Sequence, residues 1–401
     1  MKILVVCQYY YPENFQIVPI CEQLAKDGFD VTVLTGLPNY PSGIVPPEYR
    51  HGHRDEQIRG VRVIRCYEHG RKRGVVHLAL NYLSFCLSSL RMVRHLEEDF
   101  DLVFVYQLSP VLMALPGRAY ARRHHVPLFL YCCDLWPESM KVYLKREESP
   151  LFQAVRKISR DLYGACDRIA CQSSSFLPYL RRVHALPEEK LVYLPAFADE
   201  QYLHQDFTPE GNVIDFVFLG NLGVAQNLTA VLSAVEKIRD LPGFLVHFVG
   251  DGSMLEELRQ FVQAHGLEER VVFHGRHPVE EMPIFYQLAD ACLVSLKADN
   301  QTGWTLPSKV QGYMAAGKPI IGMIDGSART VIEESGCGIC VGADDVDGLA
   351  AAMRDFVEHP GAYADCGQRG RAYYQSNFSK ATFIERLEQE LMKLGENHAR
   401  F

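Results

Sequence analysis

No apolar run in this chain reaches the ~18–20 residues that a bilayer-spanning helix needs, which excludes an ordinary helical membrane span. There is no G-x-S-x-G, so the nucleophile elbow of a serine hydrolase is missing. No complete G-x-G-x-x-G is present either. A nicotinamide dehydrogenase, which wants that fingerprint and an acidic residue about twenty positions on, therefore has no footing. Cys337-Gly338-Ile339-Cys340 is one C-x-x-C without a second, which argues against zinc; it is expected to form a tight turn before Val341. Twelve cysteines lie scattered without a disulfide-like framework, as suits a reducing compartment. Met1-Lys2-Ile3-Leu4-Val5-Val6-Cys7 runs straight into a strand, without the segments of a secretory leader. Both features point to the cytoplasm and away from an exported two-lobed solute-binding protein.

What is present is a soluble-type composition, 48% hydrophobic and 22% charged, over 401 residues. That length suits two domains of about 200 residues, each with its own core. The net charge of −8 is unevenly spread. Residues 1–205 hold 25 Lys/Arg against 22 Asp/Glu, leaving 16 against 27 for the rest, so the two halves face different partners. Short apolar runs at 2–7, 29–34, 101–106, 127–133, 168–171 and 191–194 alternate with helical spacing. The alternation restarts at 215–220 and continues through 244–250, 271–273, 291–295 and 320–323. This pattern predicts parallel βα units buried on both faces, hence an α/β chain of two doubly wound, Rossmann-like domains facing across a cleft. The expected boundaries are 1–200, 201–375 and a closing helix at 376–401 that packs back towards the first domain.

In the second half, Thr305 or Ser308 can cap a helix whose first turn carries Lys309, and Gly317 ends it before the buried run at Ile320. Unpaired amides at a helix start beside an ammonium suit a diphosphate; the alternative is an ordinary capped helix with a solvated lysine. Gly220-Asn221-Leu222-Gly223 and Gly250-Asp251-Gly252-Ser253 follow strands. Small residues there let amides approach a phosphate, and glycine in a strand-to-helix turn is equally expected on structural grounds. Arg276, after the strand at 271–273, can stack on a base. In the first half, Asp134 follows a strand in Asp134-Leu135-Trp136-Pro137-Glu138-Ser139. It is placed to touch an acceptor hydroxyl or orient a donor sugar, or to cap the next helix. Glu138 joins the acceptor site or is a solvated helix residue.

Taken in order, "FLGNLG", "FVGDGSMLEEL", "RVVFHGRHPVEEMPIFYQLADACLVSL" and "LPSKVQGYMAAGKPII" resemble the retaining glycosyltransferases of family four, which have the GT-B fold. "QYYYPENFQIVPICEQLAKDGFDVTVLTGLPNYPSG" and "DLWPES" are similar to the bacterial amino-sugar transferases of O-antigen and capsule assembly. The resemblance spans nearly the whole chain. It implies transfer of a sugar from a nucleotide diphosphate held by the second domain to an acceptor held by the first, with no metal and no cofactor. Carried over by position, Pro307, Ser308, Lys309 and Val310 hold the diphosphate. Gly220, Asn221, Gly223 and Gly250 line the same pocket, Arg276 lies near the base, and the sugar meets the loop containing Asp299, Thr302 and Gly303. Lys309 and Asp134 are the candidate catalytic residues.

The chain departs from that pattern in both halves. Trp304 and Gly312 replace a pair of glutamates, the second of which holds the ribose; Asn221 and Gln226 replace an arginine and lysine that clamp the diphosphate. Lys309 is left to take the charge. After the first strand the glycine-rich loop is replaced by Tyr9, Tyr10, Tyr11 and Glu13, an expected aromatic wall in the cleft. Asn39, Tyr40 and Ser42 follow the second strand, in a rigid turn or against the acceptor. The acceptor site is expected to comprise Tyr11, Glu13, Asn39, Tyr40, Trp136 and Glu138. The acceptor implied is an undecaprenyl-diphosphate-linked saccharide, and the favoured donor a UDP-linked N-acetylated sugar; no nucleic acid is implied. Arg71-Lys72-Arg73 ahead of Val75–Leu87, followed by Arg91 and Arg94, fits an interfacial helix on the inner face of the cell membrane, or a core helix with basic ends. The nearest rival is a nucleotide-sugar epimerase of the same fold, which would turn over donor without an acceptor.

Overall fold

The computed structural model describes residues 1–72, 74–142, 146–198, 200–298 and 306–398. They form two compact units, Met1–Leu194 with Ile384–Phe401, and Pro195–Phe383. The apolar runs become strands because most of their positions are apolar and buried, as in Leu102–Gln107 and Leu128–Cys132, which a sheet covered on both faces allows.

In the first unit the strands are β1 (Lys2–Val6), β2 (Asp30–Thr35), β3 (Asp55–Ile58), β4 (Val61–Arg65), β5 (Leu102–Gln107), β6 (Leu128–Cys132), β7 (Arg168–Cys171) and β8 (Leu191–Tyr193). They lie in the order β3-β4-β2-β1-β5-β6-β7-β8, parallel except where β3 meets β4. The alternation read from sequence anticipates neither β3 nor β4. Arg59 and Gly60, at φ 49° and 86°, join them in a two-residue turn of the kind that matches strand twist. The last helix, Lys380–His398, contributes its residues from Ile384 to this unit. There Glu390 pairs with Arg168 at 2.5 Å, and His398 bonds the His125 carbonyl at 2.6 Å.

The second unit holds β9 (Ile214–Leu219), β10 (Phe244–Val249), β11 (Val271–Gly275), β12 (Ala291–Ser295), β13 (Ile320–Met323) and β14 (Gly338–Val341). They are ordered β11-β10-β9-β12-β13-β14 and all parallel. Phe216 and Phe218 of β9 face one core layer, while Val217 and Leu219 face the other. The C-x-x-C segment is not the expected tight turn. Cys337 is fully buried, and Gly338–Val341 is a strand because its backbone pairs with β13.

Strand order reverses between β1 and β5 in one unit and between β9 and β12 in the other. Sheets of this winding take ligands at the carboxyl ends of that pair. No helix among the described residues is long and apolar enough to cross a membrane.

Candidate active site

In the second unit, the turn after β9 and the turn after β10 interlock backbone to backbone. Gly220 N–H bonds the Val249 carbonyl at 2.9 Å, and Leu222 N–H bonds that of Asp251 at 2.9 Å. A Cβ on Gly250 would stand 1.8 Å from the Gly220 carbonyl oxygen, and one on Gly252 2.4 Å from that of Leu222. Gly250 also sits at φ 145°, where side chains are strained. These glycines therefore carry a structural load whatever else they do. Asn221, exposed above them, reaches over Gly223 and Gly252.

Helix Ser308–Ala315 is pinned across the switch point by Tyr313. Its hydroxyl accepts from Leu219 N–H at the end of β9 and donates to the Leu293 carbonyl in β12, at 3.1 and 3.3 Å. Neither expected cap acts. Pro307 occupies the cap position without a side-chain bond, and Ser308 is already helical, a conformation a capping residue does not adopt; Thr305 lies outside the described residues. Val310 N–H turns back to the Pro307 carbonyl at 2.9 Å, while the amides ahead of it, at Ser308 and Lys309, have no intrahelical acceptor.

Lys309 follows at once. Its Nζ donates to Gln226 Oε1 at 2.7 Å, sits 3.7 Å from the centre of the Phe218 ring, and lies beside Gly220. Burial lowers its ammonium to about 7. Among the described residues it makes no ion pair. An ammonium in that setting gains most from an incoming anion. Gly312, which stands where the family's ribose-holding glutamate would be, is buried, and a Cβ there would already be 3.0 Å from the Tyr286 hydroxyl.

Arg276 is exposed just past β11, beyond Gly275, whose carbonyl accepts from Gly250 N–H at 2.8 Å. A polar chain that sequence reasoning missed crosses the sheet beneath it. His247 Nε2 lies 2.8 Å from Asp215 Oδ1, and its Nδ1 lies 2.9 Å from His274 Nε2. Asp299, Thr302 and Gly303 lie outside the described residues.

In the first unit Asp134 is half-buried past β6. Its carboxylate accepts from Ser109 Oγ at 2.6 Å, and Trp136 Nε1 donates to the same hydroxyl at 3.1 Å. This bond takes the place of the helix-cap alternative. Burial raises the Asp134 carboxyl, with Ser109 and Arg71 opposing. Trp136 is 9% exposed. Glu138 is no solvated helix residue: it is buried, accepts from the Tyr179 hydroxyl at 2.5 Å and faces Lys141 at 2.5 Å.

The expected aromatic wall is mostly inside. Tyr9 and Tyr10 are 2% and 1% exposed; Tyr9 is packed in by Phe15, on which it stacks at 5.1 Å, by Tyr40 at 5.7 Å, and by Asn81, to whose Oδ1 its hydroxyl donates at 3.2 Å. Tyr11 is half-buried, with the Arg59 guanidinium over its ring, and Tyr40 is 47% exposed. Glu13 is buried and accepts from the Asn39 and Tyr40 amides at 2.7 and 2.5 Å; burial lifts its carboxyl to about 7. Asn39 is buried as well, accepting from Arg71 N–H at 2.8 Å.

Behind this loop lies a network that the sequence did not disclose. Gln8 Nε2 donates to Glu68 Oε1 at 2.8 Å and to Asn81 Oδ1 at 2.9 Å, while Asn81 Nδ2 donates to Glu68 Oε1 at 2.5 Å. Burial pushes Glu68 up to about 8. Its Oε2 occupies the space of a side chain at Gly36, only 1.7 Å from where a Cβ would be. A carboxylate three residues past a short strand was the available signal, and it carries weight only once β4 is recognised as a strand.

Comparison with known proteins bears on the family and the fold. The Glycosyl transferases group 1 family matches residues 199–373, and the Glycosyl transferase 4-like domain matches 16–196. The chain is 25% identical to the probable glycosyltransferase WbjE of Pseudomonas aeruginosa, over 69% of this chain and 70% of that protein. It is 25% identical to the putative colanic acid biosynthesis glycosyl transferase WcaI of Escherichia coli (strain K12), over 90% and 93%. Among solved structures, Anabaena Alr3699/HepE in complex with UDP superposes with a TM-score of 0.72 at 15% identity, covering 98% of this chain and 100% of that one. The shared fold is GT-B.

Proposed function

Because this chain belongs to the family-four, group 1 glycosyltransferases of the GT-B fold, we propose that it moves a sugar from a nucleotide diphosphate to a lipid-linked saccharide in bacterial surface-polysaccharide assembly. The observation that carries the donor half is Lys309. It is an ammonium without a carboxylate partner among the described residues, at the head of a helix pinned across the β9/β12 switch point. Together with the leading amides it supplies the positive charge that a departing diphosphate needs. The reaction is read as retaining. The acceptor attacks the face the diphosphate leaves, and the diphosphate takes the acceptor proton. Asp134, held by Ser109, orients the acceptor hydroxyl.

A UDP-linked N-acetylated sugar is the favoured donor. Support comes from the UDP complex named for HepE and from Gly312, which leaves no ribose carboxylate on the helix. The polysaccharide setting is supported by the relative named for colanic acid biosynthesis. Peripheral membrane contact is assigned to helix Val75–His95, whose exposed Val76, Leu80, Leu83 and Leu87 recur on one face between basic ends.

A thermal-shift screen of UDP, GDP, dTDP and ADP, with and without EDTA, tests the donor site. Stabilisation by UDP that EDTA leaves intact is the expected result. No shift with any of the four nucleotides would remove the transferase reading.

A further inference from the structure

Arg71 is a half-buried cation of the first unit whose charge reaches the Asp134 carboxyl without pairing with it. Its guanidinium is 5.7 Å from the centre of the Tyr40 ring and 5.8 Å from that of Tyr82, and its Nη1 donates to the Tyr9 hydroxyl at 3.3 Å. Among the described residues it makes no ion pair. The site is built rather than incidental. A Cβ on Gly70 would lie 2.1 Å from the Gly43 carbonyl oxygen, and one on Gly43 2.6 Å from that of Arg71, so the two loops are clamped backbone to backbone. Asn39, itself buried, holds the Arg71 amide at 2.8 Å. A half-buried guanidinium gives up part of its hydration, and a planar fork between two aromatic rings presents its free edge to an oxyanion.

The second observation is beside it. Tyr82 lies on helix Val75–His95, the helix that leaves Val76, Leu80, Leu83 and Leu87 exposed at 71%, 45%, 49% and 66%. An anion at one end with a long hydrocarbon running on from it satisfies both features; a soluble phosphate satisfies only the first.

We infer that Arg71 is the phosphate-binding residue for a lipid-anchored acceptor, whose hydrocarbon lies along Val76, Leu80, Leu83 and Leu87. This rests on the transferase reading and names the part of the acceptor that the first unit recognises. The charge comes from the acceptor's own phosphate, not from anionic membrane lipid.

The test is co-sedimentation with phosphatidylcholine vesicles of three kinds: doped with polyprenyl diphosphate, doped to equal charge with phosphatidylglycerol, and undoped. The wild-type chain is expected to bind the first kind most tightly. Arg71→Gln should lose about tenfold of that affinity and fall to the phosphatidylglycerol level, with Arg71→Lys in between. The Leu83→Glu, Leu87→Glu double variant should weaken binding to all three. Equal loss on both charged vesicles, or none, would overturn the assignment. So would inorganic diphosphate competing as well as the polyprenyl form. If Arg71→Gln fails to fold by circular dichroism, Arg71→Lys and the competition decide. The UDP thermal shift of the wild-type chain reads the transferase assignment separately. Its loss with the Arg71 effect intact would leave a lipid-phosphate site on a chain that is not a transferase of this kind.

Discussion

The two units share a winding and differ in what they place at the switch point. The second unit builds its turn from glycine backbone and one lysine, Gly220, Gly250 and Lys309. The first builds from buried side chains, Gln8, Glu68 and Asn81, which fix a loop carrying Arg71. Each presents a cation without an ion pair among the described residues, and the cations are of different kinds. Burial brings Lys309 to about 7, so its charge responds to the ligand; arginine stays charged throughout. A responsive cation suits a diphosphate whose charge grows as its bond to the sugar breaks. A permanent one suits a phosphate that is only bound.

The sharpest way to break that comparison is Lys309→Ala. Loss of a group that stabilises developing charge removes ~2.7–4 kcal/mol of transition-state stabilisation, on the order of 10²–10³-fold in kcat. Unchanged turnover with the correct donor would end the role given to Lys309.

Next come the two glycine clamps. Gly250→Ala and Gly70→Ala should each cost about 3 kcal/mol in denaturant melts, because the added methyl meets a carbonyl oxygen 1.8 and 2.1 Å away. Gly164→Ala, with nothing within 4 Å, is the control. A soft response at Gly70 alone would show that the first unit's loop yields where the second unit's turn does not.

The buried carboxyl in the first unit predicts a stability that falls with pH. Glu68 is raised by burial from 4.5 to about 8, so the folded chain keeps a proton that the unfolded chain has released. Its contribution is complete below about 4.5 and is lost as pH rises through about 8. Glu68→Gln should flatten this part of the Tm profile and gain on the order of 2 kcal/mol relative to wild type at the alkaline end. An unchanged profile would mean that Glu68 is not protonated in the fold.

The smallest effect is on donor affinity. A diphosphate favours the charged form of Lys309, so UDP binding should take up a proton above about pH 7. Affinity should then weaken up to about tenfold per pH unit above that point. Calorimetry in two buffers of different ionisation enthalpy measures the uptake, and Lys309→Gln should abolish it. Binding without pH dependence would place the diphosphate away from this ammonium.

Most of this architecture was legible in the order of residues. Runs such as Phe216-Val217-Phe218-Leu219 are apolar at every position, and only a doubly covered strand buries such a run. Lys309 was legible too, since a proline, a serine and a lysine at a helix start put charge and amides together whatever surrounds them. β3 and β4 were not: Asp55–Ile58 is polar at three of four positions and Val61–Arg65 is only five residues long, and pairing across Arg59-Gly60 makes them strands.

What the sequence by itself determined is therefore local: strand and helix identity, the glycine turns and the lysine at the helix head, each set by neighbours within a few residues. Only the tertiary structure decided that Tyr9 and Tyr10 go inside, that Asp134 meets Ser109, and that Glu68 stands in the space left by Gly36. It likewise decided that Arg71 ends near the Tyr40 and Tyr82 rings, making no ion pair among the described residues. The physical reason is that burial and pairing are properties of groups brought together from distant strand exits. Only packing sets the separations on which solvation and charge depend.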